Sequence, residues 1–220
     1  MPGTLIAMRT LVAIAAVLVV AACGTSNPLT GAVTPADVAV QQSDLPKSLV
    51  RCDGSGDMDT FLNSVKTKDP STYQSTKSEW DAAKSHGATA AEVVFYSDKK
   101  ADCASIQNSG NGDLASATYP LVVNFVIQFK DEQTAAKGYT TESIFGFSES
   151  TLASSGGTGV VKGKDTGLTA NSIALTVAIG NQSFYVAVWQ NKAFMVILGV
   201  LNIDLAASKK IATNENSRIK

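Results

Sequence analysis

The stretch from Ser172 to Ile203, SIALTVAIGNQSFYVAVWQNKAFMVILGVLNI, decides the fold through its periodicity. Ile173, Leu175, Val177 and Ile179 alternate with Ser172, Ala174, Thr176 and Ala178, the period of two that puts successive side chains on opposite faces of a strand. Gly180-Asn181 then turns the chain into a second strand at 184–190, and Asn191-Lys192 turns it again into a third beginning at Phe194. That third run is apolar at nearly every position. It therefore belongs in the middle of a sheet, covered by helices. Three consecutive strands joined by tight turns form an antiparallel meander.

Upstream, strands and helices are interleaved. Residues 121–130 alternate, with Val123, Phe125, Ile127 and Phe129 on one face and Asn124, Gln128 and Lys130 on the other. Asp69-Pro70 has the form of an N-cap followed by proline at the first helical position, and Gly87 ends the helix it opens. Asp57 and Asp59 precede a shorter helix through Phe61, Leu62 and Val65. Asp131 and Asp204 cap two more helices, the second running from Leu205 towards Glu215. Residues 92–96 are a short strand, and the Gly- and Asn-rich run 108–116 is a loop. The pattern predicts a single α+β domain, an antiparallel sheet with a C-terminal meander and helices packed on one face.

The N-terminus carries an address. Arg9 precedes the apolar run 11–20, too short to span a bilayer, and the run closes on Leu18-Val19-Val20-Ala21-Ala22-Cys23-Gly24. This segment resembles a bacterial lipobox, and the resemblance implies cleavage before Cys23 and lipidation of its sulfur. Residues 1–22 are then a signal peptide (with Met8 an alternative start), and 23–43 a lipidated N-terminus and polar tether. Residues 44–220 are the extracytoplasmic domain. Pro28, Gly31 and Pro35 break the tether, whose flexible reach is about 25 Å, although Val38 to Val40 can dock on the domain as an extended segment. With Cys23 committed to lipid, Cys52 and Cys103 remain; outside the cytoplasm they form a disulfide, the alternative being two separate buried thiols.

Composition excludes several functions. Without Arg9, 17 basic residues face 19 acidic ones, so the chain lacks the basic excess that binds nucleic acid. There is one histidine, His86, placed in the last turn of a helix, so no zinc ligand set assembles and no Ser-His-Asp triad has its base. Residues 53–59, DGSGDMD, depart from a calcium loop because Met58 stands at the turn position and Ser64 where a bidentate Glu belongs. Gly156-Gly157-Thr158-Gly159 and Gly163-Lys164 lack the spacing of a P-loop. No catalytic residue, metal or cofactor is expected.

One surface feature remains. Phe184, Val186 and Val188 share one face of their strand, and Tyr185, Ala187 and Trp189 the other. If helices cover the first face, Tyr185 and Trp189 lie beside the small residues Ala174, Thr176 and Ala178 on an open surface fit for a small apolar ligand or a partner. Alternatively a loop covers them as a second small core. The lipobox, Asp44-Leu45-Pro46, Thr166-Gly167-Leu168 before the meander, and the closing strand-helix at 194–215 together resemble small secreted lipoproteins of actinobacteria and related bacteria, with PsbP-type or sensor-like α+β domains. That resemblance implies a membrane-anchored binding or accessory module for a small apolar ligand or envelope partner. An envelope hydrolase using paired carboxylates and a purely structural envelope role are the alternatives.

Overall fold

Residues 121–129 form a strand buried from both sides, and the layers of the domain follow from that. The structure, a computed structural model, describes residues 32–103, 117–141, 145, 147–155, 159–179 and 181–220. Strand β4 (Leu121–Phe129) lies between β3 (Ala88–Ser97) and β8 (Phe194–Leu201). The sheet order is β1 (Val50–Arg51), β3, β4, β8, β7 (Gln182–Asn191), β6 (Ser172–Ile179), β5 (Val160–Lys162), with β2 (Gly56–Asp57) also on β3. Every pairing is antiparallel, and β6–β7–β8 is the predicted meander. The fold is a single compact α+β domain, residues 33–220.

Helices cover both faces rather than the one expected. On the first face α2 (Met58–Val65), α3 (Pro70–Ser85), α4 (Glu132–Thr141) and α5 (Glu149–Ser155) pack over Val93, Phe95, Ile127, Phe129, Val188 and Ile197. On the second, α1 (Pro35–Val38) and α6 (Leu205–Ser217) pack over Val94, Tyr96, Val122, Val126, Trp189 and Val196. The predicted caps are in place. Asp69 accepts from Thr72 N–H at 3.0 Å, Asp131 from Thr134 N–H at 2.7 Å and Asp204 from Ala206 N–H at 2.8 Å, each contributing about 1 kcal/mol. Gly87, at φ 97°, ends α3 in a conformation that other residues rarely adopt. Among the described residues no helix is long and apolar enough to cross a membrane.

The domain begins at Val33, not Asp44. The expected tether is too long because Val38, Ala39 and Val40 are 0–2% exposed, and the chain that carries them is pinned at every polar group. Thr34 and Asp37 form a capping box on the single turn of α1. Beyond it, Arg218 at the end of α6 donates through Nε to Val38 C=O and through Nη2 to Ala39 C=O, both at 3.0 Å. Val40 N–H donates to Asn124 Oδ1 at 3.0 Å, and Tyr96 O–H donates to Val40 C=O at 3.0 Å. Arg218 also pairs with Asp44 at 2.9 Å. Only the apolar triplet 38–40 was legible as a docking segment; its polar partners are distant in sequence.

Asn124, on the strand face it shares with Gln128 and Lys130, is fully buried because this face too is covered. Its Nδ2 donates to Ile197 C=O at 3.2 Å and to Glu215 Oε1 at 2.8 Å. Glu215 is 0% exposed, and burial pushes its carboxyl well above the usual range, against the opposing pull of Asn124 and Arg218. The folded state thus holds a proton that the unfolded chain releases near the ordinary glutamate pKa. Stability is therefore full below that value and falls as pH rises towards the folded pKa, by up to about 1.4 kcal/mol for each pH unit climbed in that window. Glu215→Gln keeps an oxygen for Asn124 and removes the titration. Urea melts from pH 4 to 8 should show wild type losing more stability across that window than the variant, which is the more stable at neutral pH; parallel curves contradict a protonated Glu215.

Candidate functional site

Tyr185 and Trp189 are not a surface. They are 3% and 0% exposed, because α1, α6 and the segment 38–40 fill the face they occupy. Burial pushes the Tyr185 phenol up to about 12. The second-core alternative describes this face, with one difference: helices and the N-terminal segment cover it, not a loop.

The incomplete cover is on the opposite side, where the pairing register lines the strands up in rungs. Phe125, Ile197, Val188 and Ile173 form one rung, and Val123, Gly199, Val186 and Leu175 the next. Leu121, Leu201, Phe184 and Val177 follow. Helical packing is dense at the Phe129 end of this face, where Ile127, Met195, Ile197 and Val188 are at most 2% exposed. Towards the other end Val123, Phe125, Gly199, Val186, Phe184 and Val177 stay partly exposed, while Leu175, Leu121 and Leu201 of the same rungs are buried, the last two with Ala117 in a small cluster against which Val123 and Phe184 pack. A Cβ on Gly199 would meet only Val123 among the described residues, at an ordinary 3.9 Å. The centre of the sheet therefore carries a slot one residue long, floored by Gly199, walled by Val123 and Val186 on the neighbouring strands and bounded along β8 by Ile197 and Leu201. Phe125 forms one end, stacked on Phe145 at 4.9 Å between ring centroids and set edge-on to Phe61 and Phe95. Phe145 holds φ at 52°, an uncommon conformation for an aromatic residue.

One rung beyond Phe184–Leu201 the lining turns polar. Ser183 N–H donates to Asn202 Oδ1 at 3.2 Å, and Gln182 and Asn202 donate to Ala117 C=O at 2.7 and 2.9 Å. These residues, with Thr118, Asn181, Ile203 and Asp204, line a cleft of about 440 Å³. Among its described residues the one carboxylate, Asp204, caps α6 through Ala206 and Ala207 N–H. No lysine, arginine or histidine is among the described lining residues.

Other candidates carry structural roles. Cys52 and Cys103 are bonded, closing a loop of 51 residues that contributes about 4 kcal/mol by chain entropy. Asp57 caps α2, Asp53 pairs with exposed Lys100, and among the described residues no group of three His, Cys, Asp or Glu side chains is placed to hold a metal. Asp98 and Asp102 are adjacent carboxyls, Asp102 held above its usual range by burial and by Asp98, but neither lines the cleft. His86 is the exposed C-cap of α3. Cys23, the loop 108–116 and residues 156–158 lie outside the described residues. The slot was missed from sequence, although a lone glycine inside the apolar run 194–201 was its signal, since glycine within a strand marks a missing side chain or a close approach.

No protein-family model matches the chain, and no curated protein matches it. Among solved structures it is similar to the extracellular domain of PknH from Mycobacterium tuberculosis, at 14% sequence identity and a TM-score of 0.38. The likeness covers 60% of this chain and 66% of that one, just under two thirds of its length. At that TM-score, fold and function rest on this chain's own residues.

Two substitutions report which face is sealed. Trp189→Ala empties a filled core and should cost about 3–5 kcal/mol in chemical denaturation. Gly199→Ala adds a methyl in ordinary contact with Val123 and should change stability by less than about 1 kcal/mol. The reverse order of effects contradicts the assignment of faces.

Proposed function

We propose that the chain is an extracytoplasmic binding module, anchored by lipid on Cys23, that holds a small apolar ligand in the slot over Gly199. The observation that carries this reading is the partly exposed rung Val123–Gly199–Val186 at the centre of a sheet whose other face is filled. Central strands are where a domain buries apolar side chains most completely, so an uncovered glycine there leaves desolvation energy available to a ligand. The Cys52–Cys103 bond suits an oxidising compartment, and the lipobox at 18–24 supplies the anchor. With Val33 already part of the domain, only nine residues lie between it and Cys23, so the proposed anchor keeps the domain near a membrane surface.

The test uses the full chain carrying Cys23→Ser, so that no attached acyl chain competes for the slot. Titration with the uncharged fluorophore N-phenyl-1-naphthylamine should give saturable binding at one site, and Gly199→Leu should abolish it while leaving the near-ultraviolet circular dichroism of buried Trp189 unchanged. Saturation that survives Gly199→Leu, or fluorescence that never saturates, contradicts the reading.

A further inference from the structure

We infer that the ligand is a single-chain amphiphile with an uncharged, hydroxyl-bearing head, its tail over Gly199 and its head in the polar cleft; this rests on the slot being the binding site. Three observations lead there.

The first is width. Val123 and Val186 sit on the strands either side of Gly199, so their backbones are about 10 Å apart, and two valine side chains leave about 4 Å between them, the thickness of one hydrocarbon chain. The gap admits an unbranched tail, or a flat aromatic ring edge-on such as that of N-phenyl-1-naphthylamine, whereas a puckered fused-ring system such as a sterol is too thick.

The second is direction. Val186, Phe184 and Gln182 are alternate residues of β7, point to the same face and are all partly exposed. They make a partly exposed track from the slot towards the cleft, which Gln182 lines, running beside Ala117 where it packs with Phe184 and accepts from Gln182. The track spans four residue steps, about 14 Å, the span of an extended lauroyl tail. It changes from apolar to polar only at its last member.

The third is charge. Among its described residues the cleft is lined by the carboxamide of Asn181, the hydroxyls of Thr118 and Ser183 and one carboxylate, Asp204, while the Asn202 amide is taken up by Ala117 and Tyr119 C=O. With no cation among the described lining residues, an anionic head is repelled by Asp204, while hydroxyls donate to that carboxylate and to amide carbonyls. A neutral polyol-type head matches this set, and a fatty-acid carboxylate does not.

Full-length chain with Cys23→Ser is titrated with lauroylglycerol, laurate and dodecyltrimethylammonium, each displacing N-phenyl-1-naphthylamine. Lauroylglycerol should bind about fivefold or more tighter than laurate, as expected for removing one repulsive contact near the surface, and Asp204→Asn should bring that ratio towards one while its side chain still caps α6. Equal affinity for lauroylglycerol and laurate, or a preference for the ammonium compound, overturns the head-group assignment. If those same ligands are all blocked by Gly199→Leu, the slot itself stands. Failure of all three to displace the probe overturns the tail assignment as well, and failure of the probe to bind removes the slot on which both rest.

Discussion

Three consecutive peptide groups, at Val38, Ala39 and Val40, are buried against the sheet, and burial obliges their polar atoms to find partners. Arg218 takes two of the carbonyls, Tyr96 the third, and Asn124 the Val40 N–H. One side chain from the last turn of the fold thus ties down the first. Asn124 then reaches the buried carboxyl of Glu215 on the same C-terminal helix. Removing Arg218 would strand two buried carbonyls and expose the apolar face beneath them, which is far more costly than the loss of a surface ion pair. The seal over Trp189 and Tyr185 depends on this clasp.

Sealing one face decides what the other can do. A sheet with its second face buried under α1, α6 and residues 38–40 has only the first face on which to bind a ligand. There the helices fill the Phe129 end, the disulfide ties residue 52 on the β1–β2 side to the helical turn at 103, and the rungs beyond Ile197 stay partly open. Gly199 lies in that opening. The polar cleft at the end of β7 gives the opening a direction, and the lack of cationic side chains among its described residues is what the proposed head-group preference rests on.

Much of the fold is legible in the chain itself. The period-two runs at 121–130 and 172–203 specify an antiparallel meander, and Asp69, Asp131 and Asp204 mark helix starts because a carboxylate accepts from exposed first-turn N–H groups at close sequence distance. Local signals of this kind are written in neighbouring residues. The two-sided cover is not, since it depends on Arg218 meeting Val38 and Glu215 meeting Asn124, pairs 180 and 91 residues apart. Alternation alone assigns a polar residue such as Asn124 to solvent, and nothing in its strand reveals a second layer. The same blindness puts the ligand face on Tyr185 and Trp189: periodicity separates the two faces of β7 but does not say which one the helices leave open.

The most direct measurement is nuclear magnetic resonance of valine methyl groups while N-phenyl-1-naphthylamine is added. Val123 and Val186 flank the slot, whereas Val122, Val196 and Val200 lie under the sealed face. Binding in the slot shifts the methyl signals of the first pair and leaves the other three in place. Shifts at Val196 and Val200 with Val123 and Val186 unmoved would put the ligand on the face of Trp189 and contradict the account.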